Sequence, residues 1–132
     1  MEAKLKHLEI IQGVINRMAN NAFLLKGWTV VLVSALFALA AKDSNKLYIY
    51  LAYFPTIAFW ILDGYFLWQE RLYRKLYDKV RKMSPSDIDF SMDTSSVVNQ
   101  VDPWSEVVLS KTVTVFHGAI IITIVLVMFI TK

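Results

Sequence analysis

The sequence predicts an all-α integral membrane protein with three transmembrane helices, its N-terminus in the cytoplasm, its C-terminus outside, and amphipathic helical extensions on the cytoplasmic side. Three observations predict it. Of 132 residues, 56% are hydrophobic and mean hydropathy is +0.45, above the ordinary range of soluble domains. Three runs reach the roughly 20 apolar residues that carry a helix across about 30 Å of hydrocarbon. The polar segment after the second run is rich in Lys and Arg, and such segments stay in the cytoplasm.

Residues 1–21 form an amphipathic cytoplasmic or interfacial helix. From Leu5 onward, Leu8, Ile11, Ile15 and Met18 recur at helical spacing, with Lys4, His7, Gln12 and Asn16 on other faces. Gly13 and the Asn20-Asn21 pair weaken this helix and predict a bend before the membrane. The stretch precedes a full-length span, which argues against a cleaved signal peptide.

Residues 22–68 form a transmembrane hairpin. "AFLLKGWTVVLVSALFALAA" (22–41) and "LYIYLAYFPTIAFWILDGYFLW" (47–68) are separated only by "KDSNK", a tight connection that makes the two spans antiparallel. Tyr48, Tyr50 and Tyr53 mark one membrane boundary of the second span, and Tyr65 and Trp68 the other. Pro55 is expected to kink this span.

Residues 69–83 continue as a basic cytoplasmic helix. Arg71, Arg74, Lys75, Lys79, Arg81 and Lys82 outnumber Glu70 and Asp78, while Leu72, Leu76, Val80 and Met83 keep a helical period. Glu70 with Arg74, and Asp78 with Lys82, stand at supportive i,i+4 spacing. The position of this helix directly below a span points to lipid headgroups or a partner protein, and not to nucleic acid.

Residues 84–102 reverse the charge. Asp87, Asp89 and Asp93 lie in a segment without Lys or Arg, readable as a solvated loop or as an acidic docking strip for the basic helix or a partner. Residues 103–132 hold the third span, 112–131. "DPWSE" predicts Asp102 as N-cap, Pro103 at the first helical position and Glu106 in the first turn, followed by one unbroken helix.

Three ionisable residues interrupt the spans. A turn centred on residue 44 sets the hairpin register, so that Lys26 faces Asp63 roughly 6 to 8 Å inside the cytoplasmic boundary at about 1.5 Å per residue. His117, five residues into the third span, reaches the same layer. A lysine at the bilayer centre costs roughly 2.5 to 3.5 kcal/mol, so it snorkels or finds a partner. Each of the three precedes a glycine, Gly27, Gly64 and Gly118, and small residues let helices approach closely in lipid. The expectation is an intramembrane polar cluster of Lys26, Asp63 and His117, with the glycines making room. It reads either as an ion pair that orders the bundle or as part of a proton or ion path.

Other chemistry is missing from the pattern. With no cysteine and two histidines, neither a disulfide framework nor a metal site is expected. No phosphate-binding loop, nucleophile-base arrangement or cofactor motif appears, so no catalytic role is expected.

The layout of residues 3–83 carries a resemblance. "LEIIQGVINRMANNAFLLKGW" enters a span, a short loop follows, and "WILDGYFLWQERLYRKLYDKVRK" leaves as a basic amphipathic helix. This resembles the SLATT family, small two-span bacterial membrane effectors carried beside nucleotide-signalling and antiphage loci. The resemblance implies a hairpin that oligomerises into a pore-like assembly and damages the inner membrane when a partner senses infection. Three packed helices leave no lumen, so a conducting form requires several copies. The expected function is a homo-oligomeric membrane effector or channel in the bacterial inner membrane. The alternative is a non-conducting anchor or regulatory subunit that recruits a soluble sensor or enzyme. A small transporter fits less well, because no inverted repeat is visible.

Overall fold

A computed structural model describes residues 1–131. The chain is helical, with three helices long and apolar enough to cross a membrane. Helix α1 (Glu2–Asp43) runs for 42 residues, about 63 Å at 1.5 Å per residue. That is twice the thickness of a hydrocarbon core, so its N-terminal half must project beyond any bilayer its C-terminal half occupies. The helix passes through Gly13 and the Asn20-Asn21 pair without interruption, so these residues do not break it. Tertiary packing on both sides of these positions outweighs their weak propensity, as the buried face of α1 shows: Ile11, Ile15, Thr29 and Val33 follow one helical stripe.

Ser44 ends α1 in the left-handed conformation, φ 50°, and the amide of Asn45 reaches back to the Ala40 carbonyl at 3.2 Å. This is the wrapped C-terminus normally built on glycine. The side chain of Asn45 then accepts the amide of Leu47 at 3.0 Å and opens α2 (Leu47–Leu51). Between α2 and α3 (Tyr53–Lys82) only Ala52 intervenes. The disturbance expected from Pro55 therefore falls at residues 51–52, where its ring meets the carbonyl four residues back.

α1 and α3 pack antiparallel along their whole length. Toward the hairpin turn, Val33, Ile49, Ala52 and Ile124 form a buried apolar layer. At the opposite end Ile11, Ile15, Leu76 and Val80 form a second core. Residues 84–102 fold back onto that core and bury Ile88 and Val97 in it, through 3₁₀ turns at Pro85–Asp87 and Ser95–Gln100. The segment is thus docked on one side, not a loop solvated all round. His7, expected on a polar face, is 4% exposed and meets the Phe90 ring edge-on at 5.5 Å.

The last part of the chain is not one helix. α4 (Trp104–Val108) starts after Pro103, which itself takes the N-cap position expected for Asp102. The chain unwinds at Leu109 and Ser110, and α5 (Lys111–Ile130) begins with Ser110 as its extended N-cap. Serine readily leaves helical geometry. The break lets α4 lie across α3 as a clamp: Trp104 donates to the Ile61 carbonyl at 3.3 Å and stacks on Trp68 at 6.3 Å. Around α1, α3 and α5, Phe23, Trp28, Phe54, Val115, Ile122 and Phe129 are each more than half exposed, an apolar jacket far larger than soluble monomers carry.

Candidate functional site

The three long helices meet in one polar cluster. Asp63 lies on the buried stripe of α3 and is 1% exposed. Its Oδ2 atom accepts the Lys26 ammonium from α1 at 2.6 Å and His117 Nε2 from α5 at 2.8 Å. His117 is fully buried, whereas the Lys26 side chain remains 24% exposed, with its ammonium 6.0 Å from the Phe116 ring centroid. Lys26 therefore does not snorkel alone. One carboxylate oxygen serves two donors, and charge-assisted bonds of this kind are shorter and about twice as strong as neutral ones.

Trp60 completes the cluster, and sequence reasoning missed it. Its ring stacks on His117 at 5.9 Å and 12°, and its Nε1 donates to the Val108 carbonyl at 2.8 Å. That carbonyl is free because α4 ends there. The signal was present in the spacing, since Trp60 precedes Asp63 by three residues and shares its helix face.

The glycines behave differently from one another. A Cβ added to Gly64 would lie 2.8 Å from the Cα of Val108, whereas Gly27 and Gly118 have nothing within 4 Å. Only Gly64 makes room inside the protomer. The expectation for Gly27 and Gly118 fails because no neighbouring atom comes close to either within the protomer.

The cluster is polar on one side only. Asp63 Oδ1, His117 Nδ1, Thr114 Oγ1, Ser110 Oγ and Trp68 Nε1 are buried and have no protein partner among the described residues. Ser110, Thr114 and His117 share a face of α5 at i, i+4, i+7 spacing, so these atoms extend from the cluster toward the basic helix. Toward the hairpin turn, the hydroxyls of Thr29 and Thr56 bond back to the carbonyls of Leu25 and Ala52 at 2.8 Å each. Beyond them the apolar layer closes the interior.

The six cations of the basic helix are divided by the fold. Arg74 pairs with Glu70 at 3.5 Å and Arg81 with Asp78 at 3.7 Å, the latter replacing the expected Asp78 and Lys82 pair. Lys79 donates to Ser96 Oγ at 3.0 Å. Arg71, Arg74 and Lys75 line a cavity of about 380 Å³ with Asp78, Gln100 and Asp102. Lys82 is exposed. The acidic strip does not pair with these cations. Asp87 accepts Ser84 Oγ at 2.9 Å, Asp89 accepts the Ser91 amide at 3.0 Å, and Asp93 accepts both the amide and the hydroxyl of Ser95. The hydroxyl and amide of Ser95 hold the Asp93 carboxyl below the usual carboxylate range.

Among the described residues no group of three or more His, Asp or Glu side chains could hold a metal ion. No family model, curated protein or solved structure matches the chain.

Proposed function

We propose that the chain is a subunit of a homo-oligomeric membrane effector or channel. Its three long helices cross the bacterial inner membrane, with the N-terminus and the basic helix in the cytoplasm and the C-terminus outside. The observation that carries this reading is how α1 divides its faces. One face is used up inside the subunit, where Lys26 pairs with Asp63, Thr29 is fully buried and Val33 packs with Ile49, Ala52 and Ile124. A second face, about a third of a turn round the helix, carries Gly27, Ser34, Ala38 and Ala41, all exposed, and the open space over Gly27 admits a second backbone. Small residues at such spacing let helices associate in lipid. The sealed layer of Val33, Ile49, Ala52 and Ile124 supports placing any conducting path between copies and not through one. The resemblance of residues 3–83 to antiphage effectors suggests bacterial defence as the setting.

The chain has no cysteine, so a single introduced thiol reports proximity without background. Ser34→Cys is expected to form disulfide-linked dimers in membranes, and Phe54→Cys, on the jacket, is not. Induced expression should also collapse the membrane potential. Failure of Ser34→Cys to cross-link together with an intact potential would defeat the reading.

A second reading, an anchor that recruits a soluble partner, is favoured by the far end of the stalk. There Ile10 and Phe90, each about half exposed, line a cavity of about 310 Å³, well beyond the expected membrane boundary.

A further inference from the structure

The boundary between the apolar jacket and the basic helix carries a built pocket. Toward the spans, outside the residues that line it, an aromatic group precedes it along α3 and follows it into α4: Trp68 stacks on Trp104 at 6.3 Å and 13°, and Tyr65 meets Trp104 edge-on at 5.4 Å. Aromatic residues of this kind sit at headgroup level. Arg71 follows Trp68 by three residues, about 4.5 Å further along the helix. Arg71, Arg74 and Lys75 from α3 and Gln100 and Asp102 from the returning segment line the cavity of about 380 Å³.

The charges of this pocket are not all spoken for. Arg74 and Asp78 are engaged with Glu70 and Arg81. Arg71, Lys75 and Asp102 make no ion pair within 4.0 Å among the described residues. Two free cations and one free carboxylate facing one cavity match a ligand that carries both charges. An arginine fork binds a phosphodiester through paired N–H groups, and a carboxylate accepts the N–H groups of a primary ammonium. A purely anionic headgroup would leave Asp102 facing added negative charge, and a quaternary ammonium would offer it no hydrogen.

We propose that this pocket binds the zwitterionic headgroup of an ethanolamine phospholipid, its phosphate on Arg71 and Lys75, its ammonium on Asp102, and its acyl chains beside the Trp68 and Trp104 pair. The inference rests on the reading of the three helices as membrane-spanning. It assigns a lipid class to one part of the basic helix; Lys79 and Arg81, held by Ser96 and Asp78, take no part.

The test is quenching of tryptophan fluorescence in vesicles by phospholipids brominated on their acyl chains. Flotation of the vesicles is run alongside. Brominated phosphatidylethanolamine in a phosphatidylcholine background should quench at about fivefold lower mole fraction than brominated phosphatidylcholine or phosphatidylglycerol. That factor corresponds to about 1 kcal/mol, within the reach of a charge-assisted hydrogen bond from the primary ammonium to Asp102. Arg71→Gln and Lys75→Gln should each raise the mole fraction needed for all three lipids, whose phosphate they share, and Asp102→Asn should abolish the distinction between ethanolamine and choline headgroups. Lys79→Gln should change nothing. Soluble glycerophosphoethanolamine should not relieve the quenching; relief would point to a soluble ligand and overturn the lipid. Equal quenching by all three lipids, or a phosphatidylglycerol preference, would overturn the proposal alone if the protein floats with the vesicles. A protein that does not float overturns the spanning reading as well.

Discussion

Gly64 and Val108 meet backbone to backbone: a Cβ on Gly64 would lie 2.5 Å from Val108 Cγ2 and 2.8 Å from its Cα. A rotamer change at Val108 would relieve the first of these clashes, but only a backbone shift relieves the second. α4 must move for any larger residue to fit, and with it the carbonyl that Trp60 binds. Gly64→Ala is therefore expected to cost about 1 to 3 kcal/mol, the usual penalty of overpacking. Gly27→Ala and Gly118→Ala, with open space around each, should gain up to about 1 kcal/mol from helix propensity in the isolated protomer. Thermal melts in a mild detergent measure the stability difference. A red-shifted tryptophan emission in Gly64→Ala alone would report the release of Trp104.

Asp63 is the hub of the polar cluster, and the three positions should be unequal. Asp63→Ala leaves the Lys26 ammonium and His117 without their shared acceptor, and breaking a buried pair typically costs about 3 to 5 kcal/mol. Lys26→Leu leaves Asp63 its bond to His117 and should cost less, while Lys42→Leu, exposed near the turn, should cost almost nothing. The Lys26 and Asp63 double-mutant cycle isolates the coupling. Interhelical hydrogen bonds in membranes average about 0.6 kcal/mol and reach about 1.7, so a coupling near the upper value is expected for two charged groups at 2.6 Å. Unfolding from micelles by increasing denaturing detergent gives all four values. A cost for Lys26→Leu equal to that of Lys42→Leu would mean that the ion pair contributes nothing.

The cluster could be anticipated because a five-residue turn leaves a hairpin little freedom of register, and a one-turn slip would have carried Lys26 past Asp63 into an apolar layer. The three helices long and apolar enough to cross a membrane were legible for the same kind of reason: length and hydropathy are local properties. What escaped depends on contacts between distant segments. The break at Leu109 and Ser110 has no proline or glycine to announce it, and follows from α4 crossing Gly64. The docking of residues 84–102 rests on Ile88 and Val97, two apolar side chains inside an acidic, aperiodic stretch where periodicity has nothing to measure. His7 is buried by Phe90, which lies 83 residues away and has a left-handed backbone, φ 60°.

Asp93 illustrates how that docked segment is held by local bonds. Its carboxylate accepts the Ser95 hydroxyl at 2.6 Å and the Ser95 amide at 3.0 Å, and these two bonds hold its titration below the ordinary carboxylate range. A depressed folded value means that the contribution is present above the unfolded value and is lost as pH falls through the folded one. The turn at residues 93–95 should thus hold at neutral pH and loosen only in acid. Ser95→Ala removes the hydroxyl, the larger cause, and should move the Asp93 titration upward, as followed by carboxyl carbon chemical shifts. An unmoved titration would show that the hydroxyl is not its cause.

Lys4 caps the far end of α3. Its ammonium donates to the Arg81 carbonyl at 2.9 Å and to the Met83 carbonyl at 2.8 Å, where the last carbonyls of a helix lack partners and the dipole is negative. A cation there contributes about 0.3 to 1 kcal/mol when exposed and up to about 2 when partly buried. Lys4→Met keeps the apolar stem and removes only the charge, so it is expected to cost about 1 kcal/mol. The loss should appear as faster amide exchange at residues 80–88, which Lys4 joins to α1, with no change near Asp63. Because the cap and the cluster lie at separate levels of the hairpin and share no partner, Lys4→Met and Asp63→Ala should add within about 0.5 kcal/mol. A larger deviation would mean that the two ends of the hairpin unfold as one coupled unit through α1 and α3, the two helices common to both.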